Sequence, residues 1–240
     1  MNNKIITILH LYPNDMNIYG DQGNVLCLSR RLQWYGYQPN LIKYNQGDRF
    51  PKNVDIIIGG GGQDSGQDKI QADLLLIGPH LHKLADDGVP MLMICGLYQL
   101  FGKFFKTADG EIIKGIAILD IETYGKSERL IGNTITHNQK FGDIIGYENH
   151  SGQTFLGQGV TALGQVRLGA GNNVVDNSEG TIYKNVIGSY LHGSLLPKNP
   201  AIANFLIEQS VIRKYGKFNK HKIDDSYTEI ARKIALKRPR

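Results

Sequence analysis

The sequence predicts an α/β protein: a mostly parallel sheet flanked by helices, with a shorter antiparallel strand region in the middle of the chain. Three observations carry this. Over the first hundred residues, short Ile-, Leu- and Val-rich runs alternate with segments of helical periodicity, the pattern of strands joined by right-handed crossover helices and covered on both faces. From about residue 110 to 190 glycine and asparagine become frequent and helical periodicity fades. The length, 240 residues, suffices for one large domain with a real core.

Ile5 to Leu11 reads as a buried strand, and residues 23 to 35 as a helix with Val25, Leu28, Leu32 and Tyr35 on one face, stopped by Gly36. Strands follow at Gln38 to Tyr44 and Val54 to Ile58. Residues 67 to 87 read as helical with a break at Gly78-Pro79, and Val89 to Ile94 as the next strand. In the middle, extended runs at Arg129 to Thr136, Ile144 to Glu148, Val160 to Val166 and Thr181 to Ile187 read as an antiparallel meander. Asn199 and Pro200 supply the N-cap and first position of a helix to about Lys214, with Ile202, Phe205 and Leu206 inward. Asp225 to Leu236 reads as a last helix. No internal repeat is present. Residues 1 to 212 are expected to form one domain, and 213 to 240 a basic C-terminal segment.

Charge and cysteine content narrow the function. The formal charge is +5, but residues 213 to 240 carry +7 of it, leaving −2 for residues 1 to 212. The body is near neutral and the charge belongs to a tail, which reads as a solvated or partner-facing segment rather than a nucleic-acid site. Two cysteines, Cys27 and Cys95, are too few for a disulfide framework and point to a reducing compartment, the cytoplasm. No apolar run approaches the ~18 residues of a membrane span, and the N-terminal run is too short for a secretory signal, so no membrane insertion is expected.

Cys95 is the first candidate for chemistry. A fully apolar strand delivers it at its C-terminal edge and Gly96 begins a helix, the place where open α/β sheets bind ligands and where helix N–H groups favour a thiolate. Position alone leaves it open between nucleophile and core residue. Cys27, inside an amphipathic helix, reads as core. The loop "IIIGGGGQDSGQ" places four glycines, Gly59 to Gly62, after another parallel strand, where backbone N–H groups can turn toward an anion. It is not a phosphate loop; the nearest Gly-Lys-Ser, at 125 to 127, has Asp120 where that motif needs glycine. A cysteine nucleophile needs an imidazole base. Of seven histidines, His10, His80, His82 and His221 read as structural or solvated, and His80-Leu-His82 lacks further metal ligands. His137 and His150 remain possible site contacts. His192, in "NVIGSYLHGSLLPKNP", ends an apolar strand before a turn and is the leading base.

These segments together resemble the class I, triad-type glutamine amidotransferases, a flavodoxin-like fold, and within them the cobyric-acid-synthase-like branch, most closely the glutaminase subunits of lipid II isoglutaminyl synthases. The resemblance is carried by "NIYGDQGN" (17 to 24), "IIGGGGQDSGQ" (57 to 67), "ICGLYQLFGK" (94 to 103), "AILD" (117 to 120), "ERLIGN" (128 to 133), "GYENHSGQT" (146 to 154), "LGAGNN" (168 to 173) and "NVIGSYLHGSLLPKNP" (185 to 200). It implies that Cys95 attacks the side-chain amide of L-glutamine, that ammonia leaves, and that the thioester is hydrolysed with His192 shuttling protons. Backbone amides near Gly60 or Gly61 and at Gly96 would hold the oxyanion, Arg129 would bind the substrate α-carboxylate, and Gln99 joins the substrate contacts. No cofactor or metal is implied. The implied partner is a Mur-ligase-like (MurT-like) ATP-binding synthetase subunit, in a heterodimer, which amidates the D-glutamate α-carboxylate of lipid II. The absence of a phosphate loop from this sequence fits that division of labour.

Two departures stand out. Many class I members have an acid two residues past the base, where this sequence has Ser194, so a dyad suffices or an acid comes from elsewhere, the partner being the expected source. The usual elbow has glycine two residues either side of the cysteine; here Met93 and Leu97 stand there. Two other readings share the fold. One is ammonia supply to a corrinoid-type synthetase, although there the synthetase precedes the glutaminase on a longer chain, whereas this sequence opens on the first strand. The other is a silent binding module, against which Cys95, His192 and Arg129 together speak. A cysteine peptidase fits Arg129 less well than a free amino acid does.

Overall fold

Strands with no polar face have to be covered on both sides, and the computed structural model, which describes residues 4–239, shows how this is done. In chain order the elements are β1 (Ile5–Leu11), α1 (Gln22–Trp34), β2 (Gln38–Tyr44), β3 (Ile56–Gly59), α2 (Asp64–Asp86), β4 (Met91–Ile94), α3 (Gly96–Leu100), β5 (Phe104–Lys106), β6 (Ile112–Lys114), β7 (Ile121–Asn138), β8 (Gly142–Leu156), β9 (Gly164–Leu168), β10 (Ser178–Glu179), β11 (Thr181–Tyr183), β12 (Val186–Ser189), α4 (Leu195–Lys198), α5 (Pro200–Tyr215) and α6 (Ser226–Ala235).

The main sheet has the order β11-β12-β4-β3-β1-β2, parallel throughout except for the short edge strand β11. Every residue of β3, β4 and β12 is buried. From β1 the chain crosses to β2 on one side, and from β3 to β4 on the other. Right-handed crossovers in opposite directions put α1 and α2 on opposite faces. Val25, Leu28 and Leu32 of α1 are fully buried, as their spacing predicts. The strand order reverses between β1 and β3, which opens a crevice at the C-terminal ends of the strands.

Several expectations are corrected. The third strand begins two residues later than predicted. Helix α2 runs unbroken through Pro79 because that proline lies on the exposed face, where the freed carbonyl of half-exposed Leu75 can be hydrated. The run 181 to 187 is not part of the antiparallel meander. It is a tight hairpin with Lys184 at φ 51°, and its second strand, β12, joins the parallel sheet beside β4. The remaining middle strands form a second sheet, antiparallel around a hairpin of two long strands, β7 and β8, with β5 parallel to β7. The register of that hairpin shifts between Gly125 and Leu130, a bulge that contains Arg129.

Asn199 sits at the N-cap position of α5, but its side chain caps nothing. It bridges the Ile145 N–H and C=O and the Leu195 C=O, tying α5 to β8. Charges hold the C-terminal segment to the body. Asp225 accepts a two-pronged contact from buried Arg31 at 2.6 and 3.0 Å, and Arg232 donates to the Asp143 carbonyl at 2.7 Å. Tyr227, Ile230 and Ile234 of α6 remain exposed. Among the described residues no helix is long and apolar enough to cross a membrane.

Candidate active site

Four loops leave the C-terminal ends of β1, β3, β4 and β12 and meet over the crevice. They carry, in order, the segment 12 to 21, the glycines 60 to 62, Cys95 and His192. At the β4–α3 junction Cys95 is held at φ 50° and ψ −103°, a strained backbone that a non-glycine residue adopts only when its surroundings impose it. The surroundings are specific: the Cys95 N–H donates to the Ser189 carbonyl at 2.8 Å, and its own carbonyl accepts the Gln99 N–H at 3.0 Å.

The bulky residues flanking this elbow are accommodated by a glycine on the neighbouring strand β3. Met93 pairs with Gly59 on one side and with Gly188 on the other, where the missing Cβ leaves room for the Tyr98 ring instead. A Cβ on Gly59 would lie 2.4 Å from Leu97 Cδ1 and 2.8 Å from Met93 Sδ. The close approach usually made by small residues at the elbow is therefore made here from the opposite wall, and Leu97 is fully buried against it.

Gly61 is where Cys95 and His192 come together. A Cβ there would lie 3.1 Å from Cys95 Cβ and 2.9 Å from His192 Cε1, so one glycine Cα packs against both side chains. The Gly61 N–H is already engaged, donating to the Asp21 carboxylate at 2.8 Å, while the Gly61 carbonyl accepts the Ile18 N–H. Gly62 is the loop glycine that lines the cavity, and its nitrogen lies 3.2 Å from where a Gly96 Cβ would be.

The cavity holds about 410 Å3 and is lined by Cys95, Arg129, Gln67, Gln99, Gly62 and His150 among others. The β7 bulge carries Arg129 to it, and Asn149 engages the Nε and Nη2 edge of the guanidinium, its Oδ1 accepting from Nη2 at 2.7 Å and from Nε at 3.3 Å, which leaves the Nη1 donors for an anion. Gln99 is buried with its amide committed to the protein, accepting from Gln67 Nε2 at 2.8 Å and donating to the Tyr190 hydroxyl at 3.1 Å. It walls the cavity and braces α2 against Tyr190. His150 also lines it, stacked on the Tyr190 ring at 3.6 Å with Nδ1 against the Gly152 carbonyl at 2.6 Å. His137 is elsewhere, paired with Asp143 on the surface.

The electrostatics are those of a resting, neutral pair. Burial pushes the Cys95 thiol up to about 12, with the Asp21 charge adding to the rise against the Gly96 N–H and Arg129. The sequence expectation of a helix-lowered thiol is thus reversed: α3 is only five residues long, and desolvation outweighs it. Burial pushes His192 down to about 3, with His150 and Lys198 contributing. Neither His192 nitrogen has a hydrogen-bond partner among the described residues; Tyr19 packs on its ring at 4.3 Å. Ser194, where an acid was sought, donates instead to the Gly20 carbonyl. Cys27, half-buried in α1, has its thiol raised to about 11 by burial and lies outside the site. Among the described residues no group of three or more His, Cys, Asp or Glu could hold a metal ion.

Tyr19, Asp21 and Gln67 escaped the residue-by-residue reading. All three lie inside segments that carried the resemblance, so the motif was visible where the roles were not.

Residues 7–200 match the CobB/CobQ-like glutamine amidotransferase domain. Over 97% of its length the chain is 37% identical to the GatD subunit of lipid II isoglutaminyl synthase (glutamine-hydrolyzing) from Staphylococcus aureus, covering 96% of that protein. It is 39% identical over 88% of its length to the same subunit from Streptococcus pneumoniae, covering 82% of it. Cobyric acid synthases are more distant: that of Moorella thermoacetica is 28% identical over 65% of this chain and 37% of its own. Among solved structures a glutamine amidotransferase superposes with a TM-score of 0.60 at 14% identity, over 84% of this chain and 98% of that one. A second, from Thermotoga maritima, gives 0.53 at 14% identity, over 96% and 93%. These two show the fold, and the match over residues 7–200 shows the family: the chain belongs to the CobB/CobQ-like glutamine amidotransferases.

Proposed function

We propose that the chain is the glutaminase subunit of a lipid II isoglutaminyl synthase, hydrolysing L-glutamine to glutamate and ammonia for a partner that amidates lipid II. The observation that carries the chemistry is the packing of Cys95 and His192 against one glycine, with Cys95 lining a cavity that also bears Arg129 and His192 buried behind it. Arg129 takes the substrate α-carboxylate by its guanidinium fork. Cys95 Sγ attacks the side-chain amide carbon as His192 takes the thiol proton, and the same imidazole returns it to the departing ammonia. The oxyanion is held by backbone N–H groups of the glycine loop and of Gly96, the loop donor being Gly62 because Gly61 is engaged with Asp21. Water then hydrolyses the thioester, with His192 as base.

Ammonia use falls to a Mur-ligase-like, MurT-like ATP-binding subunit that amidates the D-glutamate α-carboxylate. The relatives' naming as subunits supports a complex. That partner also supplies the acid that orients His192, whose nitrogens are unpartnered here, and the complex works in the cytoplasm. The corrinoid reading is not favoured: those matches are less identical and span under half of the longer synthases. Cys95→Ala in the reconstituted complex should lower glutamate release by at least about 1,000-fold. Retention of a tenth of the activity would overturn the assignment.

A further inference from the structure

Asp21 ends the loop between β1 and α1, wholly shielded from solvent. Its Oδ2 accepts the Gly61 N–H at 2.8 Å, and its Oδ1 has no hydrogen-bond partner among the described residues. We propose that Asp21 is a positioning residue for the oxyanion-binding loop: by accepting the Gly61 N–H it sets the next peptide so that the Gly62 N–H faces Gly96 across the reacting carbon. This rests on the reading of Cys95 as nucleophile and deepens it.

The loop is pinned on both sides of that peptide. The Leu97 N–H donates to the Gly60 carbonyl at 3.3 Å, and the Ile18 N–H to the Gly61 carbonyl at 3.1 Å. With both carbonyls taken and the Gly61 N–H on Asp21, the Gly62 N–H is left for a ligand. The fit is close. A Cβ on Gly60 would fall 2.3 Å from the Met16 carbonyl oxygen and 2.8 Å from both Cβ and Oδ2 of Asp21, so the loop is wedged between that backbone and the carboxylate. Gly61 itself packs against Cys95 and His192, which passes any displacement of Asp21 to the reacting atoms.

An inert structural role explains this carboxylate poorly. Burial makes it expensive, raising its pKa to about 6, and its charge opposes ionisation of the adjacent thiol. It does not serve as the acid of a triad, since its contact is to Gly61 and the His192 nitrogens have no partner among the described residues. Holding an oxyanion donor in place requires an acceptor at this point, and that is what Asp21 provides.

The test uses the complex and compares Asp21→Ala, Asp21→Asn and Gly60→Ala with wild type and with Cys95→Ala. Loss of one well-placed oxyanion donor costs 100-fold or more, so a loosened one in Asp21→Ala should lower kcat about 30-fold with KM within about threefold. Alkylation of Cys95 by iodoacetamide, which passes through no oxyanion, should not fall in Asp21→Ala and should rise, because the carboxylate charge that opposes ionisation of the thiol is gone. Asp21→Asn keeps an oxygen for the Gly61 N–H and should stay within about threefold in kcat, whereas Gly60→Ala, whose methyl meets the Met16 carbonyl as well as Asp21 and so displaces the loop itself, should repeat the kcat loss. If Asp21→Ala does not fold, Asp21→Asn and Gly60→Ala decide alone. Four outcomes overturn the proposal: Asp21→Ala unchanged or faster, its loss confined to KM, alkylation falling in step with kcat, or Asp21→Asn as damaged as Asp21→Ala. A wild-type complex without glutaminase activity, or an active Cys95→Ala, defeats the underlying reading instead, so the two failures are told apart.

Discussion

Cys95 and His192 both follow parallel strands that pair with each other, Ile94 opposite Ser189, yet the structure holds the two side chains very differently. The elbow at Cys95 is over-determined: two backbone hydrogen bonds fix its strained φ, Gly59 on the neighbouring strand makes room for its flanks, and Leu97 and Met93 are fully buried. At His192 only the backbone is fixed, its N–H donating to the Tyr147 carbonyl at 2.8 Å and its carbonyl accepting from Lys198 Nζ at 3.1 Å. The imidazole rests on Tyr19 by packing alone, with neither nitrogen bonded among the described residues. The proposed nucleophile is thus fixed by its surroundings, and the imidazole of the proposed base is not.

The largest expected effect tests that asymmetry directly. In the isolated subunit a thiol near 12 faces an imidazole near 3, so proton transfer from Cys95 to His192 is strongly uphill. Since His192 stays neutral above about pH 3, no limb near its ordinary value shapes the profile, and activity should keep rising with pH as hydroxide does the work of the base. A carboxylate brought beside the imidazole favours the imidazolium, which raises the His192 pKa and lowers that of the thiol. Adding the partner should therefore raise kcat at pH 7 by about 100-fold or more and move the profile's rising limb down toward neutrality. An isolated subunit as active as the complex, with the same profile, would show the base to be complete already.

How much of this was legible in the sequence follows the same division. Cys95, His192 and the glycine loop could be found because each stands at the end of an apolar run, and parallel strands bring such ends to one edge. Arg129 was carried by resemblance alone, since nothing in "KSERL" announces that a bulge lies there. Asp21 was invisible for another reason: an aspartate before a helix reads as a cap, yet its side chain makes no capping bond and turns to Gly61. The exchange of bulk between Leu97 and Gly59 could not be read either, because it depends on which residues of β3 and β4 face each other. The hairpin at 181 to 189 was misplaced because periodicity does not say which sheet a strand will join.

A second, smaller effect separates substrate capture from chemistry. Arg129 lies outside both junctions, on the second sheet, and in the proposed reaction it holds the far end of the substrate. Arg129→Ala should raise the KM for glutamine about 50-fold while kcat falls less than about fivefold, since it removes binding shared by ground and transition states. Arg129→Lys keeps the charge without the fork and should recover only part of the loss. Initial-rate kinetics over a wide glutamine range decide this; a kcat loss larger than the KM rise would move Arg129 into the chemical step.

The smallest effect tests how firmly the elbow is built. Gly59→Ala puts a methyl carbon 2.4 Å from Leu97 Cδ1 and 2.8 Å from Met93 Sδ, both in a fully packed core. Overpacking of this kind costs about 1–3 kcal/mol, which for a chain of this size lowers Tm by roughly 2–4 °C per kcal/mol. Leu97→Ala alone leaves a cavity and costs about 2–5 kcal/mol. Combined, each change relieves part of the other, because the Leu97 methyl that the new Cβ strikes is gone. The double variant should therefore be more stable than the sum of the singles predicts by about 1–2 kcal/mol, readable in denaturant titrations. Catalysis should follow weakly, since the hydrogen bonds from Cys95 to Ser189 and from Gln99 to Cys95 are untouched and still impose the nucleophile's backbone. Additive stabilities would mean that Leu97 and Gly59 do not share the space, and that the elbow tolerates its bulk by some route other than the facing strand.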